Sequence, residues 1–197
     1  MQEIIFVLLD DFADWEAVFL APALRCGVMP GRPGSYAVRY LTPDGASRRS
    51  IGGLRIVPDY DARTLPEACA ALILVGGQSW QAAEADAIAP LVAEARRRGL
   101  VVGAICNACA FLAAHGHLND VRHTGNTCAM LREWGGDRYT GEALFEERQA
   151  VADSGIVTAN GSGYLEFARA CLLALRADTP EAIDASYRFN KEGFYKA

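Results

Sequence analysis

The stretch VVGAICNACAF, residues 101–111, decides how this chain is read. Small and β-branched apolar residues run from Leu100 to Ile105 and stop at Cys106, and helix-forming residues begin at Asn107 with almost no loop between. The first half reads as a buried parallel strand covered on both faces. The second half reads as a helix over residues 107–114. A side chain at such a junction projects from the carboxyl edge of a sheet, where open α/β proteins bind ligands. It also lies at the positive end of the next helix, a setting that lowers a thiol pKa. Gly103, Ala104 and Ala108 suit the crowding of a nucleophile elbow, although GAICNA lacks the second glycine of the serine-hydrolase version. Taken alone, the position reads rather as a buried cysteine acting as a small hydrophobe, so its neighbours must decide.

Outward from the elbow, residues 4–9 and residues 70–75 (AALILV) are two more continuous apolar runs, and each reads as a buried strand. Asp14 is placed to cap a helix that carries Trp15, Val18 and Phe19 and ends near Gly27, with Pro22 kinking or shortening it. Residues 36–42 form a further strand, and Gly52 and Gly53 turn the chain into a short strand at 54–57, both near a sheet edge. Ile88, Leu91, Val92 and Ala95 fall at helical spacing up to Arg98. Residues 155–159 give a last strand, followed by a helix over 162–175 behind a Ser162 cap. Strands alternating with helices of these lengths imply right-handed crossovers. The expected fold is a three-layer α/β/α sandwich with a mainly parallel sheet.

At 197 residues the chain is expected to form one domain, residues 1–197, and its 51% hydrophobic and 22% charged composition is that of a folded globular protein. The net charge of −5 includes no like-charge block longer than Arg96, Arg97 and Arg98, which argues against nucleic acid or anionic lipid as a partner. The amino terminus lacks a basic leader, and no apolar run nears the ~18 residues of a membrane span, so a cytoplasmic protein is expected. Six cysteines, at 26, 69, 106, 109, 128 and 171, are too few and too scattered for a disulfide scaffold in a chain of this size, and read as reduced thiols. Cys106 and Cys109 make a CNAC pair. Thioredoxin-type dithiols belong to the first βαβ unit of a shorter chain, and zinc would need two further ligands that His115, His117 and His123 do not supply as a pair. No metal is expected, and Cys109 is placed on the inner face of its helix.

The opening strand followed by FADWEA, then ALILVGGQS, GAICNACAFLA, LNDVRHTGN and TANGSGYLEFA together resemble the DJ-1/PfpI (ThiJ) superfamily, related to class I glutamine amidotransferases, over nearly the whole chain. The resemblance implies a flavodoxin-like sheet, a homodimer and no cofactor. It also implies that Glu16 meets Cys106, that His123 approaches the sulfur, and that the amides of Gly77 and Asn107 form an oxyanion site. On chemistry alone, Glu16 is equally a first-turn glutamate favoured by the helix dipole, His123 a loop histidine satisfied by backbone groups, and Gly76–Gly77 a tight turn. A carboxyl group beside a thiol either donates a hydrogen bond when protonated or opposes the thiolate by like charge, so a raised Glu16 pKa is expected. Two positions depart from related enzymes. Tyr164 in GYLE stands where amidotransferases resembling this chain have histidine, and Asn107 stands where PfpI-like peptidases have histidine. The expectation is therefore a cysteine-dependent enzyme acting on a small electrophilic metabolite, glyoxalase-like or isocyanide-hydratase-like, rather than an amidotransferase or peptidase. The alternative is a stress-response, redox-sensing or chaperone-like protein with an oxidisable Cys106.

Overall fold

In the computed structural model, which describes residues 1–193, the apolar runs lie at the centre of a seven-stranded sheet. In chain order, β1 (Glu3–Val7) leads to α1 (Asp14–Ala17) and α2 (Leu20–Cys26), and β2 (Ala37–Thr42) precedes a small hairpin of β3 (Arg48–Arg49) and β4 (Arg55–Ile56). Then come β5 (Tyr60–Asp61), β6 (Cys69–Leu74), α3 (Ala89–Arg97), β7 (Val101–Ile105), α4 (Asn107–Ala114) and α5 (Cys128–Gly135). The chain continues through β8 (Ala150–Asp153), β9 (Ile156–Ala159), α6 (Tyr164–Ala174) and α7 (Pro180–Glu192). The strand order is β5-β2-β1-β6-β7-β9-β8, parallel except for the antiparallel edge pair β8–β9. This is the expected three-layer, mainly parallel architecture.

Period-two alternation explains the unbroken apolar runs. Ile5, Val7, Leu72, Leu74, Val102 and Ala104 face one cluster, which packs on α3, α4 and α5 through Leu91, Val92, Leu112 and Leu131. Ile4, Phe6, Ala71, Ile73 and Ile105 face the other, with Leu20, Leu24, Phe167 and Leu172 from α2 and α6. Each central strand is covered twice, so no polar alternation survives. Gly103 is part of this packing, because a Cβ there would stand 2.8 Å from Ile73 Cδ1 and 3.0 Å from Phe167 Cζ.

Four details differ from the sequence expectation. The first helix is two, α1 and α2, with Pro22 in the first turn of the second, where no backbone donor is needed. Asp14 does not cap it: the position before α1 is Ala13, and the Asp14 carboxylate accepts from the Ser50 hydroxyl and, at 2.8 Å, from the Gly52 amide. That pins the β3–β4 hairpin, which lies off the main sheet, onto α1. Ser162 does not cap α6; its hydroxyl bonds the side chains of Asn160 and Gln149, and Gly163 precedes the helix. The helices α5 and α7 and the edge strands β5 and β8 had no counterpart in the sequence reading. No helix among the described residues is long and apolar enough to cross a membrane.

Candidate active site

Cys106 leaves β7 with φ 61° and ψ −129°, left-handed for a residue with a side chain. Such backbone costs on the order of 1–3 kcal/mol and persists only where its surroundings hold it. Here the Cys106 amide donates to Ala159 O of β9 at 2.9 Å, and α4 starts at the next residue. The elbow is therefore as sharp as the absence of a loop in the sequence required.

Glu16 comes to the same point from α1. It is only 2% exposed, both carboxyl oxygens are sealed from solvent, and neither meets a hydrogen-bond donor at full bonding geometry. The Cys106 thiol and the Gly76 amide are the polar groups that face it. Two glycines make room for the pair. A Cβ at Gly161 would stand 3.1 Å from Cys106 Sγ and 3.3 Å from Glu16 Oε1, and one at Gly76 would stand 2.2 Å from Glu16 Oε2 and 2.6 Å from Cys106 Cβ. Burial pushes the Glu16 carboxyl up to about 7, against the opposing pull of the thiol and the Gly76 amide. The rise expected for this residue is thus present, with desolvation as its main cause.

The thiol moves the other way from the elbow expectation. Burial and then the Glu16 charge raise the Cys106 pKa, while the Asn126 side chain and the Asn107 amide lower it. The helix terminus is outweighed because the sulfur is half-buried beside a carboxylate. The two groups titrate as one unit in which a single negative charge is tolerated and a second is strongly opposed.

His123 does not approach the sulfur. It is fully buried, its Nδ1 lies 2.8 Å from Val121 O, its Nε2 lies 2.7 Å from Tyr139 Oη, and burial favours its neutral form. Both ring nitrogens are occupied, which is the satisfied-histidine alternative left open by the sequence. The side chain that does reach the sulfur is Asn126, whose Nδ2 stands 3.2 Å from Sγ. It belongs to the same RHTGN stretch, but an asparagine after glycine in a loop carries no signal beyond a turn residue.

Gly77 and Asn107 are tied together beside the elbow. Gly77 O accepts from Asn107 Nδ2 at 2.9 Å, while Ala13 N donates to Gly76 O and Gln78 N to Asp11 O, an antiparallel pairing that turns the Gly77 amide away from Phe12. That amide has no acceptor among the described residues. Cys109 is inert packing as expected, fully buried with Sγ 3.2 Å from Ala104 O and 3.3 Å from Ala159 O. Tyr164, at the departure from the amidotransferase pattern, stacks on Phe19 with centroids 5.4 Å apart. A cleft of about 460 Å³ is lined by Gly125, Asn126, Thr127, Arg148, Asn160 and Ser162 among others, and meets the thiol's surroundings at Asn126. The larger hollow at Gly45 and residues 58–66 contains none of these side chains. Among the described residues, no group of three or more His, Cys, Asp or Glu is placed to hold a metal ion.

The DJ-1/PfpI family model matches residues 2–174. A Bacillus subtilis protein named "uncharacterized protease YdeA" is 34% identical over 195 residues, 99% of this chain and 94% of its own length. The crystal structure of the DJ-1 superfamily protein Atu0886 from Agrobacterium tumefaciens superposes with a TM-score of 0.87 at 37% identity, covering 98% of this chain and all of that one. A thiJ/pfpI family protein from Bacillus anthracis gives 0.90 at 30% identity, over 98% of this chain and 93% of its own.

Proposed function

Because the chain belongs to the DJ-1/PfpI family, we propose that it is a cysteine-dependent enzyme in which Cys106 attacks a small electrophilic metabolite, of the α-oxoaldehyde or isocyanide class, with Glu16 carrying the proton. The observation that carries this reading is the Cys106–Glu16 pair, a half-buried thiol beside a buried carboxyl at a strained elbow. His123, expected as the shuttle, is replaced in that role, since both its nitrogens are engaged elsewhere and Glu16 is the titratable group that faces the sulfur. In the addition step the thiol proton passes to the Glu16 carboxylate and sulfur forms a bond to the carbonyl carbon. The carbonyl π pair moves onto oxygen, and Glu16 returns the proton there to give a neutral hemithioacetal. With Glu16 raised to about 7, its ionised and protonated forms are both populated around neutral pH, so it can both accept the thiol proton and return it. The Gly77 and Asn107 amides are the backbone donors assigned to the oxygen.

The protein sits in the cytoplasm in this reading and works as a homodimer. The apolar side chains exposed on α1 and the hairpin, Trp15, Val18, Ile51, Leu54 and Val57, give a second copy its contact face. The protease name of the B. subtilis relative makes peptide hydrolysis a necessary arm of the test. That reaction needs an acid for the leaving amine, a role that would fall to Glu16 because Asn107 cannot titrate and His123 is engaged elsewhere.

The test is turnover of methylglyoxal, an alkyl isocyanide and an unstructured peptide by wild type and Cys106→Ser. Consumption of one small electrophile by wild type and none by Cys106→Ser is expected. Turnover that survives in Cys106→Ser overturns the nucleophile, and peptide cleavage alone overturns the substrate class.

A further inference from the structure

We propose that Asn126 is a catalytic residue of this site, the side-chain donor that stabilises the negative charge developing on the Cys106 sulfur as its proton leaves. The inference rests on the reading of Cys106 as the nucleophile, and it adds a residue that neither the family resemblance nor the elbow motif marked.

The orientation of the carboxamide is dictated by its neighbours. Asn107 Nδ2 donates to Gly77 O at 2.9 Å, so Asn107 presents its Oδ1 as an acceptor. Gly161 N is a donor, and Asn126 Oδ1 receives it at 2.9 Å. Asn126 Nδ2 must therefore face Asn107 Oδ1, at 3.1 Å, and Cys106 Sγ, at 3.2 Å. Flipping the amide would set two oxygens against each other and an N–H₂ against the Gly161 N–H, so the donor end toward sulfur is the only consistent arrangement. One side chain thus ties together the segments after β7 and β9, with Asn107 reaching the segment after β6, and it lines the cleft as well.

A donor of this kind differs from an imidazole in one respect that matters. A carboxamide cannot take up a proton near neutral pH, so Asn126 stabilises the thiolate without competing with Glu16 for the proton. The pair of roles is then divided: Asn126 holds charge on sulfur, and Glu16 moves the proton. Both hydrogens of the N–H₂ are engaged, one by the sulfur and one by Asn107 Oδ1, so the donor is fixed on the sulfur rather than shared with a substrate.

The experiment is the pH profile of Cys106 alkylation by iodoacetamide, followed by mass spectrometry. The background carries Cys26→Ser and Cys128→Ser to remove the exposed and half-exposed competing thiols. Asn126→Ala removes the donor, and Asn126→Asp removes it while keeping the shape and the acceptor for Gly161 N–H. The Asp variant therefore keeps the test alive if the Ala variant fails to fold. Asn126→Ala should shift the profile up by about one pH unit and slow alkylation about tenfold below it, with an unchanged plateau at high pH. Asn126→Asp should shift it further, since a second carboxylate is added. Folded variants with the wild-type profile would overturn the assignment. A merely structural role would lower the melting temperature without moving the profile. The readout needs no turnover, so a failed substrate panel and a failed Asn126 assignment are told apart.

Discussion

Glu16 is buried where its charge has no strong donor, and that has a cost that depends on pH. Its carboxyl sits at about 7 in the folded chain against an ordinary 4.5. A group whose folded pKa is raised binds more protons when folded, so the stability it allows is present below about 4.5 and is lost as pH rises through 7. Glu16→Gln should therefore gain on wild type across that window, by about 3 kcal/mol when complete. Denaturant unfolding of both proteins at several pH values checks this, and parallel curves would remove the buried charge. The glycines around the pair make a second, graded prediction. Gly76→Ala drives a methyl onto Glu16 Oε2 and Cys106 Cβ and should cost about 1–3 kcal/mol while slowing Cys106 alkylation, whereas the looser contacts at Gly161 let Gly161→Ala fold at small cost. Melting temperatures and alkylation rates rank the two, and an equal ranking counts against the packing argument. At this scale Cys106 was legible from sequence because an elbow is local. Asn126 was not, since its partners lie 20 residues away at Cys106 and 35 away at Gly161, and no local pattern encodes such pairing.

The elements that the sequence announced are those buried on two faces. The strands β1, β6 and β7 appear as apolar runs within a residue or two of their real ends, because both cores claim alternate side chains. The elements it hid are those that bury little. In α7 only Ile183 is fully buried, in α5 only Leu131 and Gly135, and β8 is four residues at an antiparallel edge. Each of the two helices has an amphipathic stripe but buries only one or two residues on it, and local chemistry starts the helix. Thr127 does this for α5, its hydroxyl accepting from Met130 N at 3.0 Å. Thr127→Ala should cost about 1 kcal/mol, and since Thr127 follows Asn126 directly, loosening of this cap should also slow Cys106 alkylation. Thr127→Ser keeps the oxygen and should restore both; a Ser variant no better than Ala would show that the hydroxyl is not what matters. Asp14 shows the opposite failure, where a strong local signal was overruled. A first-turn aspartate reads as a cap, yet the hydroxyl of Ser50 and the amide of Gly52 offer it better-placed donors, and the tertiary bond wins.

For the whole molecule, strand order gathers the chemistry. The chain leaves β1 for β2 on one side and returns to β6 on the other, so the sheet's direction of growth reverses between β1 and β6, where open α/β sheets leave a crevice. Glu16 follows β1, Gly76 and Gly77 follow β6, Cys106 follows β7 and Gly161 follows β9, all at the same carboxyl edge. The same topology sets the outer surface. The four-residue α1 that buries Glu16 also exposes Trp15, and Val18 just beyond it, while Asp14 fastens it to the hairpin that exposes Ile51 and Leu54. A second copy seated on this patch would therefore press on the helix that positions Glu16. If the homodimer forms there, Ile51→Asp with Leu54→Asp should give a folded single chain, because two new carboxylates per chain put four into the symmetric contact. Release of the partner should also free α1 and weaken the Glu16–Cys106 pairing, so the alkylation profile of the variant should differ from that of wild type. Analytical ultracentrifugation of both proteins at micromolar concentration gives the decision. Wild type is expected at twice the chain mass and the variant at the chain mass; wild type sedimenting as one chain would remove the dimer and leave the exposed patch without this occupant.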